Sequence, residues 1–138
     1  METTVLSLAT LEIGVLEAFI ELMFLAAYSD GEINAAERSA FASRVAAATC
    51  GKLSPEVVAM MLQHFETELA GAHREDCLAD IRERIPVRMR RDALSIAINV
   101  VVADGILKLD EIAFLKRAAT ALELDLEVAD SVLREAKA

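Results

Sequence analysis

The feature that most constrains this chain is a turn that occurs twice. Residues 30–37 and 104–111 share the pattern Asp-Gly-x-aliphatic-x-x-x-Glu, and the two copies lie 74 positions apart. A large apolar side chain, Phe41 or Leu115, follows four residues after each glutamate. Self-similarity at a fixed offset is the signature of a repeated structural unit. The pattern therefore predicts two related halves, each organised around one copy of the turn.

The composition favours helices over sheets. The 138-residue chain is 55% hydrophobic but only 4% aromatic, and it has five glycines and two prolines. A core of Ala, Leu, Val, Ile and Met with so few turn residues is typical of α-helices. The length suits a single domain. We therefore predict one all-α domain, residues 1–138, folded as a compact bundle.

The spacing of apolar residues predicts about seven helices and no strand. Ser54, which directly precedes Pro55, marks one helix start, and Pro86 marks another. The helices are predicted at about 4–29, 34–49, 54–71, 73–84, from 86, at 110–123, and from 125. The first three are matched by the last three, so the pseudo-repeats span about 4–70 and 86–137 and the helix at 73–84 links them.

The first predicted helix has a polar stripe that the fifth partly reproduces. Gly14, Glu17 and Glu21 are spaced three and four apart, which places them on one narrow face. Its apolar run is long enough to span a bilayer, but Glu12, Glu17 and Glu21 make a buried helix of a non-membrane protein the better prediction. Glu12 falls on the apolar face, where it either extends past neighbouring helices or makes a polar contact in a homodimer.

The polar residues outside the turns predict little chemistry. A net charge of −9 disfavours nucleic acid and favours cations or a basic partner surface. We expect Cys50 and Cys77 to be buried or inert, and His64 and His73 to lie at the surface. The arginines at 82–91 are interleaved with acids, which favours pairing on helix surfaces over anion binding. The sequence shows no recognisable signal peptide, phosphate-binding loop or nucleophile elbow, so we predict a cytoplasmic protein that is not an enzyme.

The repeated turn is similar to the second half of an EF-hand calcium loop. The glycine permits the sharp turn, and the last glutamate would bind calcium through both oxygens. The first half of the loop is absent, because Ala26 and Tyr28 in one copy, and Val100 and Val102 in the other, replace its ligands. One turn thus offers too few oxygens for calcium. The two turns together would offer Asp30, Glu37, Asp104 and Glu111, with Glu32 and Asp110 nearby.

The same residues also have structural explanations. Asn34 and Glu37 fit a capping box, and acids in a first helical turn suit the helix dipole. Lys108 stands where Asn34 does and cannot cap a helix, and Ile106 replaces Glu32, so the second copy is the poorer site. Helix capping, a divalent-cation site and an acidic docking patch remain the three alternatives for these turns.

The two turns, each after a long Ala/Val/Leu-rich segment, resemble the TerB-like tellurite-resistance family. The segments that carry the resemblance are residues 22–41 and 96–115, although it extends over essentially the whole chain. The resemblance implies an all-α fold, association with a divalent cation such as calcium or magnesium, and a role in tellurite or broader stress resistance. By resemblance, Asp30, Glu37, Asp104 and Glu111 are the acidic site residues. It also implies protein partners, including membrane-associated complexes.

Overall fold

A computed structural model describes residues 11–27, 34–70, 74–101 and 109–137. Within these ranges every regular element is a helix, which confirms the predicted all-α fold. A 3-10 turn, Val87–Met89, precedes the fifth helix. The seven α-helices of the described ranges are α1 Ile13–Ala27, α2 Ala35–Ala48, α3 Pro55–Ala70, α4 Arg74–Arg84, α5 Arg90–Val101, α6 Leu109–Ala121 and α7 Leu126–Lys137.

The start of α1 differs from the prediction. Leu11 and Glu12 are not helical, so a helix continuous from about residue 4 is wrong at these two positions. The Glu12 carbonyl accepts the first helical bond from the Leu16 amide at 2.8 Å, and Lys52 Nζ donates to the Leu11 carbonyl at 2.7 Å. Glu12 is exposed beside the helix end, so it does not lie on the apolar face.

Helix α1 forms the centre of the core. Its buried positions include Leu16 and the continuous run from Ala18 to Ala26, so the helix is covered on every side along that run. Helix α5 is its main partner, and α3, α4 and α6 also pack against it. Among the described helices, none has the length and hydrophobicity that crossing a membrane requires.

The helix contacts show how the predicted counterparts are placed. The predicted counterparts α1 and α5 pack against each other at the centre. Helix α2 packs on α3 as α6 packs on α7, and the linking helix α4 contacts α1 and α6. The duplication and its boundaries at about 4–70 and 86–137 stay predictions.

Helices α2 and α6 end in the same way. After α2, the amides of Cys50 and Gly51 donate to the carbonyls of Ala47 and Ala46 at 3.0 and 3.4 Å. After α6, Glu123 and Leu124 donate to Thr120 and Ala119 at 3.0 and 2.8 Å. Both patterns are Schellman motifs. Such ends usually carry glycine in the left-handed conformation, but here Cys50 and Glu123 adopt it, with φ of 56° and 61°.

Replacing Cys50 by glycine should raise the free energy of unfolding by about 1 kcal/mol, because glycine adopts positive φ without steric cost. The exposed Cys50 thiol makes no compensating bond within the described chain, whereas Glu123 contacts Arg90 at 2.9 Å. Glu123→Gly is therefore the matched control and should give no such gain. Urea unfolding followed by circular dichroism measures both. Destabilisation by Cys50→Gly would show that the thiol makes an essential contact.

Not every apolar side chain of the helices is buried. Val57 and Leu126, in the first turns of α3 and α7, are exposed, whereas Leu62 and Phe114 are buried. The fifth helix also begins later than Pro86, because the 3-10 turn intervenes before Arg90. Which apolar side chains are buried thus depends on how the helices pack against one another, which a periodic pattern alone does not determine.

Candidate functional site

Most of the predicted acidic site lies outside the described residues. This applies to Asp30, Glu32 and Asp104. Asp110 and Glu111 belong to the first turn of α6, and the placement of their side chains is likewise outside the description. Of the predicted site, Glu37 alone has a described side chain. Convergence of the two turns therefore remains a prediction.

Glu37 forms the capping box that the sequence predicts. Its amide donates to Asn34 Oδ1 at 2.8 Å, and its Oε1 accepts from the Asn34 amide at 2.9 Å. The side chain is exposed at the N-terminus of α2. One carboxylate oxygen is thus used for capping, and a cation bound through both oxygens would have to displace that bond. Ligation through Oε2 alone is compatible with the cap.

The two turns enter their helices at corresponding points. Helix α2 begins at Ala35, two residues before Glu37, and α6 begins at Leu109, two residues before Glu111. Both glutamates therefore stand near a helix N-terminus, where negative charge is favoured. No group of three or more His, Cys, Asp or Glu side chains close enough to hold a metal occurs among the described residues. A cation site at the turns would therefore need carboxylates in addition to that of Glu37.

A second acidic group, Glu21, is buried within α1. The side chain is 8% exposed and pairs with Arg84 Nη2 of α4, which also contacts Asp80 at 2.8 Å. Desolvation raises the pKa of Glu21 above its usual value, and the hydrogen bond and charge of Arg84 oppose that rise. The sequence placed Glu21 on a polar stripe. The structure makes it one half of a partly buried ion pair between α1 and α4.

Comparison with protein families gives a match over residues 16–131 to the family described as Tellurite resistance protein TerB. The chain belongs to the TerB family. The match begins within α1 and ends within α7, so it includes both acidic turns. Neither the curated proteins nor the solved structures compared with this chain gave a match.

The buried side chain of Arg90 connects three helices of this TerB domain, α4, α5 and α6. Arg90 is 8% exposed at the start of α5. It donates to the carbonyls of Ile85, Arg82 and Leu122 at 3.1, 3.0 and 3.3 Å, and to Glu123 Oε1 at 2.9 Å. The carbonyls lie at or near the ends of α4 and α6, where helical partners run out. Arg90 therefore joins these helix ends to α5.

The remaining basic residues of the TerB domain mostly pair, as predicted. Arg82 contacts Glu83 at 2.9 Å, and Arg91 contacts Glu135 of α7 at 3.1 Å. The buried role of Arg90 was missed because three of its acceptors are backbone carbonyls, which leave no mark in a sequence. Pro86 is the nearest signal, since it starts the turn that carries Arg90 into the core.

The cysteines and His64 of the TerB domain show no catalytic pairing in the described chain. Cys50 is exposed, so of the two predicted alternatives, buried or inert, inertness is the one that remains for it, and it stays a prediction. Cys77 is half-buried, and desolvation raises the pKa of its thiol. His64 is at the surface, as predicted, 3.2 Å from Glu68. His73 lies outside the described residues.

Proposed function

We propose that this TerB domain is a non-enzymatic, cytoplasmic module of tellurite or stress resistance. In this proposal its two acidic turns together bind a divalent cation, calcium or magnesium. The observation that carries it is the placement of Glu37, exposed and negatively charged at the N-terminus of α2, in a chain of the TerB family. The matching start of α6 before Glu111 supports a shared role for the two turns.

Carboxylate oxygens are the ligands that calcium and magnesium prefer. Asp30, Glu37, Asp104 and Glu111 would hold the cation, with Glu32 and Asp110 at the periphery. Glu37 would contribute Oε2, because Oε1 caps the helix. Each turn contributes too few oxygens alone, so the proposal requires both turns and water to complete the coordination. The cation would neutralise part of the net charge of −9.

The Glu37→Gln/Glu111→Gln variant should bind calcium or magnesium about tenfold more weakly, while unfolding within about 0.5 kcal/mol of the parent protein. Glutamine still accepts the bond from the Asn34 amide, as in natural capping boxes, but lacks the carboxylate charge. Titration calorimetry on metal-stripped protein measures the affinity. The variant therefore tests cation binding without removing the helix cap.

The matched control removes two acids from α7. Glu127 and Asp130 are exposed, so Glu127→Gln/Asp130→Asn changes the net charge equally without touching the turns. Unchanged affinity in this control, with loss in the turn variant, locates the cation. Absence of binding to the parent protein, or equal binding in both variants and in Asp30→Ala/Asp104→Ala, would contradict the cation proposal.

The second candidate function is a metal-independent interaction module that uses the acidic turns or an apolar helix face. It is favoured by Ile13, Val57 and Met60, large apolar side chains that are exposed at the α1–α3 edge. Partners include other proteins, such as those of membrane-associated complexes, or a second copy in a homodimer. Charge reversal at Glu37 and Glu111 should abolish binding if the acidic turns are the contact surface. Retained binding would direct attention to the apolar face.

A further inference from the structure

An open groove lies between the N-terminal half of α1 and helix α3. Its volume is about 390 Å³, and it is lined by Ile13 and Glu17 of α1 and by Val57, Met60, Met61 and His64 of α3. Ile13, Val57 and Met60 are 55%, 42% and 69% exposed. Large apolar side chains gathered at one exposed place mark an interaction surface more often than scattered ones do.

The second half of the domain shows that the fold does not require this groove. Aligning α3 with α7 by the residues that directly precede them, Ser54 and Asp125, places Val58 on Ala129, and both of these side chains are buried. On the same alignment Met60 corresponds to the polar Ser131. The second half thus has a small polar residue where the first exposes a long thioether.

An ion pair occupies the corresponding place in the second half. His64 aligns with Glu135, and Glu17 aligns with Arg91 at the 74-residue offset. Arg91 contacts Glu135 at 3.1 Å and so bridges α5 and α7. In the first half no such bridge between Glu17 and His64 is present. The apolar side chains between them consequently remain open to solvent.

The charge around the groove is mainly negative. Glu17 is within it, and the exposed Glu12 and Glu56 flank Ile13 and Val57 in sequence. His64 lies beside Glu68, and the ammonium of Lys52 is bound to the Leu11 carbonyl. An apolar floor with an acidic rim is complementary to a helix that has leucine-like side chains on one face and Lys or Arg beside them.

We propose that the α1–α3 groove binds a basic amphipathic helix of a partner protein. Apolar side chains at helical spacing fill the space between Ile13, Val57 and Met60, and a basic residue pairs with Glu17. The flexible thioethers of Met60 and Met61 adapt to side chains of different shape. This inference rests on the second candidate function, for which it supplies a partner chemistry, and it is independent of cation binding.

The test uses a fluorescein-labelled peptide of about 18 residues, with leucine at i, i+3, i+4 and i+7 spacing and lysine elsewhere. Fluorescence anisotropy at about 150 mM salt measures its affinity for the full chain. Met60→Ser and Ile13→Ser should each weaken binding about tenfold, as expected of central apolar contacts. Glu17→Gln should weaken binding and reduce its dependence on salt.

Matched controls come from the second half. Val87→Ser changes the counterpart of Ile13, which is 74% exposed and lies outside the groove, and Glu127→Gln removes an acid from α7. Both should leave the affinity within about twofold. A peptide with glutamate in place of lysine should bind far more weakly. Circular dichroism verifies that every variant remains folded.

Three results would overturn the proposal. Equal losses in Met60→Ser and Val87→Ser would show general adsorption to the acidic surface. Dimerisation of the parent protein that Met60→Ser abolishes would assign the groove to a second copy. Loss of the peptide in Glu37→Gln/Glu111→Gln but not in the groove variants would place the interaction at the acidic turns. That last result would leave the second candidate function intact while rejecting the groove.

Discussion

Replacing Arg90 by methionine should lower the free energy of unfolding by about 3 kcal/mol. Methionine fills similar space, but it donates none of the four hydrogen bonds that Arg90 makes to Ile85, Arg82, Leu122 and Glu123. Each such bond contributes about 1 kcal/mol net, and an unsatisfied buried carbonyl costs more than an exposed one. Because the chain has no tryptophan, unfolding in urea is followed by circular dichroism.

The neighbouring Arg88 supplies the control for Arg90. It is exposed in the 3-10 turn, so Arg88→Met should change stability by no more than about 0.5 kcal/mol. Arg90→Lys retains the charge but loses the planar guanidinium that reaches several acceptors. Its free energy of unfolding should lie between those of Arg90→Met and Arg88→Met. If Arg90→Met were as stable as the parent protein, the hydrogen bonds from Arg90 to the helix ends would contribute no more stability than hydrogen bonds from water to the same carbonyls.

Removing Arg84 should cost about 3 kcal/mol near pH 8 and clearly less near pH 5. Arg84→Ala leaves the buried carboxylate of Glu21 without its main partner, and an uncompensated buried charge is strongly destabilising. The pKa of Glu21 is already raised by desolvation, and Arg84 is what opposes the rise. In the variant the pKa therefore moves further up, and protonation relieves the cost as the pH falls.

The direction of the pH effect follows from proton binding. When the folded-state pKa of a carboxyl exceeds its unfolded value, the folded state binds more protons in the interval between them. The contribution of Glu21 to stability is therefore full below the unfolded value of 4.5 and is lost as the pH rises through the folded pKa. Stability measured from pH 4 to 8 should fall more steeply in Arg84→Ala than in the parent protein.

Glu21→Gln tests whether Glu21 is the titrating group. In that background Arg84→Ala should cost little and should lose its dependence on pH, because no buried carboxylate remains. Arg82→Ala is the control on the same helix, since its partner Glu83 is largely exposed. A pH-independent loss in Arg84→Ala would mean that packing of the arginine side chain, and not its pairing with Glu21, stabilises α4 against α1.

Local signals in the sequence predict much of the fold. The capping box at Asn34 and Glu37 requires residues only three apart, and Ser54 accepts from the Val57 amide at 3.2 Å as a capping serine should. Periodicity likewise predicts the burial of Phe41, Val45 and Leu115. The caps agree because neighbouring residues alone determine their geometry, and the burial agrees because an apolar stripe at helical spacing faces the core.

Interactions between distant parts of the chain set the remainder. Glu21 was recognisable as polar, but its burial depends on Arg84, which is 63 positions away. Arg90 looked like one member of a surface cluster until the carbonyls at the ends of α4 and α6 supplied its partners. The non-helical backbone at Leu11 and Glu12 is similar, because Lys52, in the loop after α2, donates a hydrogen bond to the Leu11 carbonyl.

In the candidate site, too, local features could be predicted from the sequence and tertiary ones could not. The spacing of Glu37 and Glu111 from their helix starts is local, and the observed bounds of α2 and α6 agree with it. Whether Asp30 and Asp104 approach each other is a question of tertiary geometry that repeated spacing does not answer. The α1–α3 groove was not predicted, because the exposure of Val57 and Met60 depends on how α3 packs against α1, which helical spacing alone does not reveal.

The central position of α1 has a consequence for synthesis of the chain. Helix α1 emerges from the ribosome before its main partner α5, which begins more than sixty residues later. At a synthesis rate of about 5–20 residues per second, the apolar surface of α1 remains without α5 for several seconds. Glu17 and Glu21 interrupt this surface during the interval, as charged residues beside aggregation-prone segments do. We therefore expect the Glu21 carboxylate, which is desolvated in the folded domain, to reduce aggregation of the nascent chain.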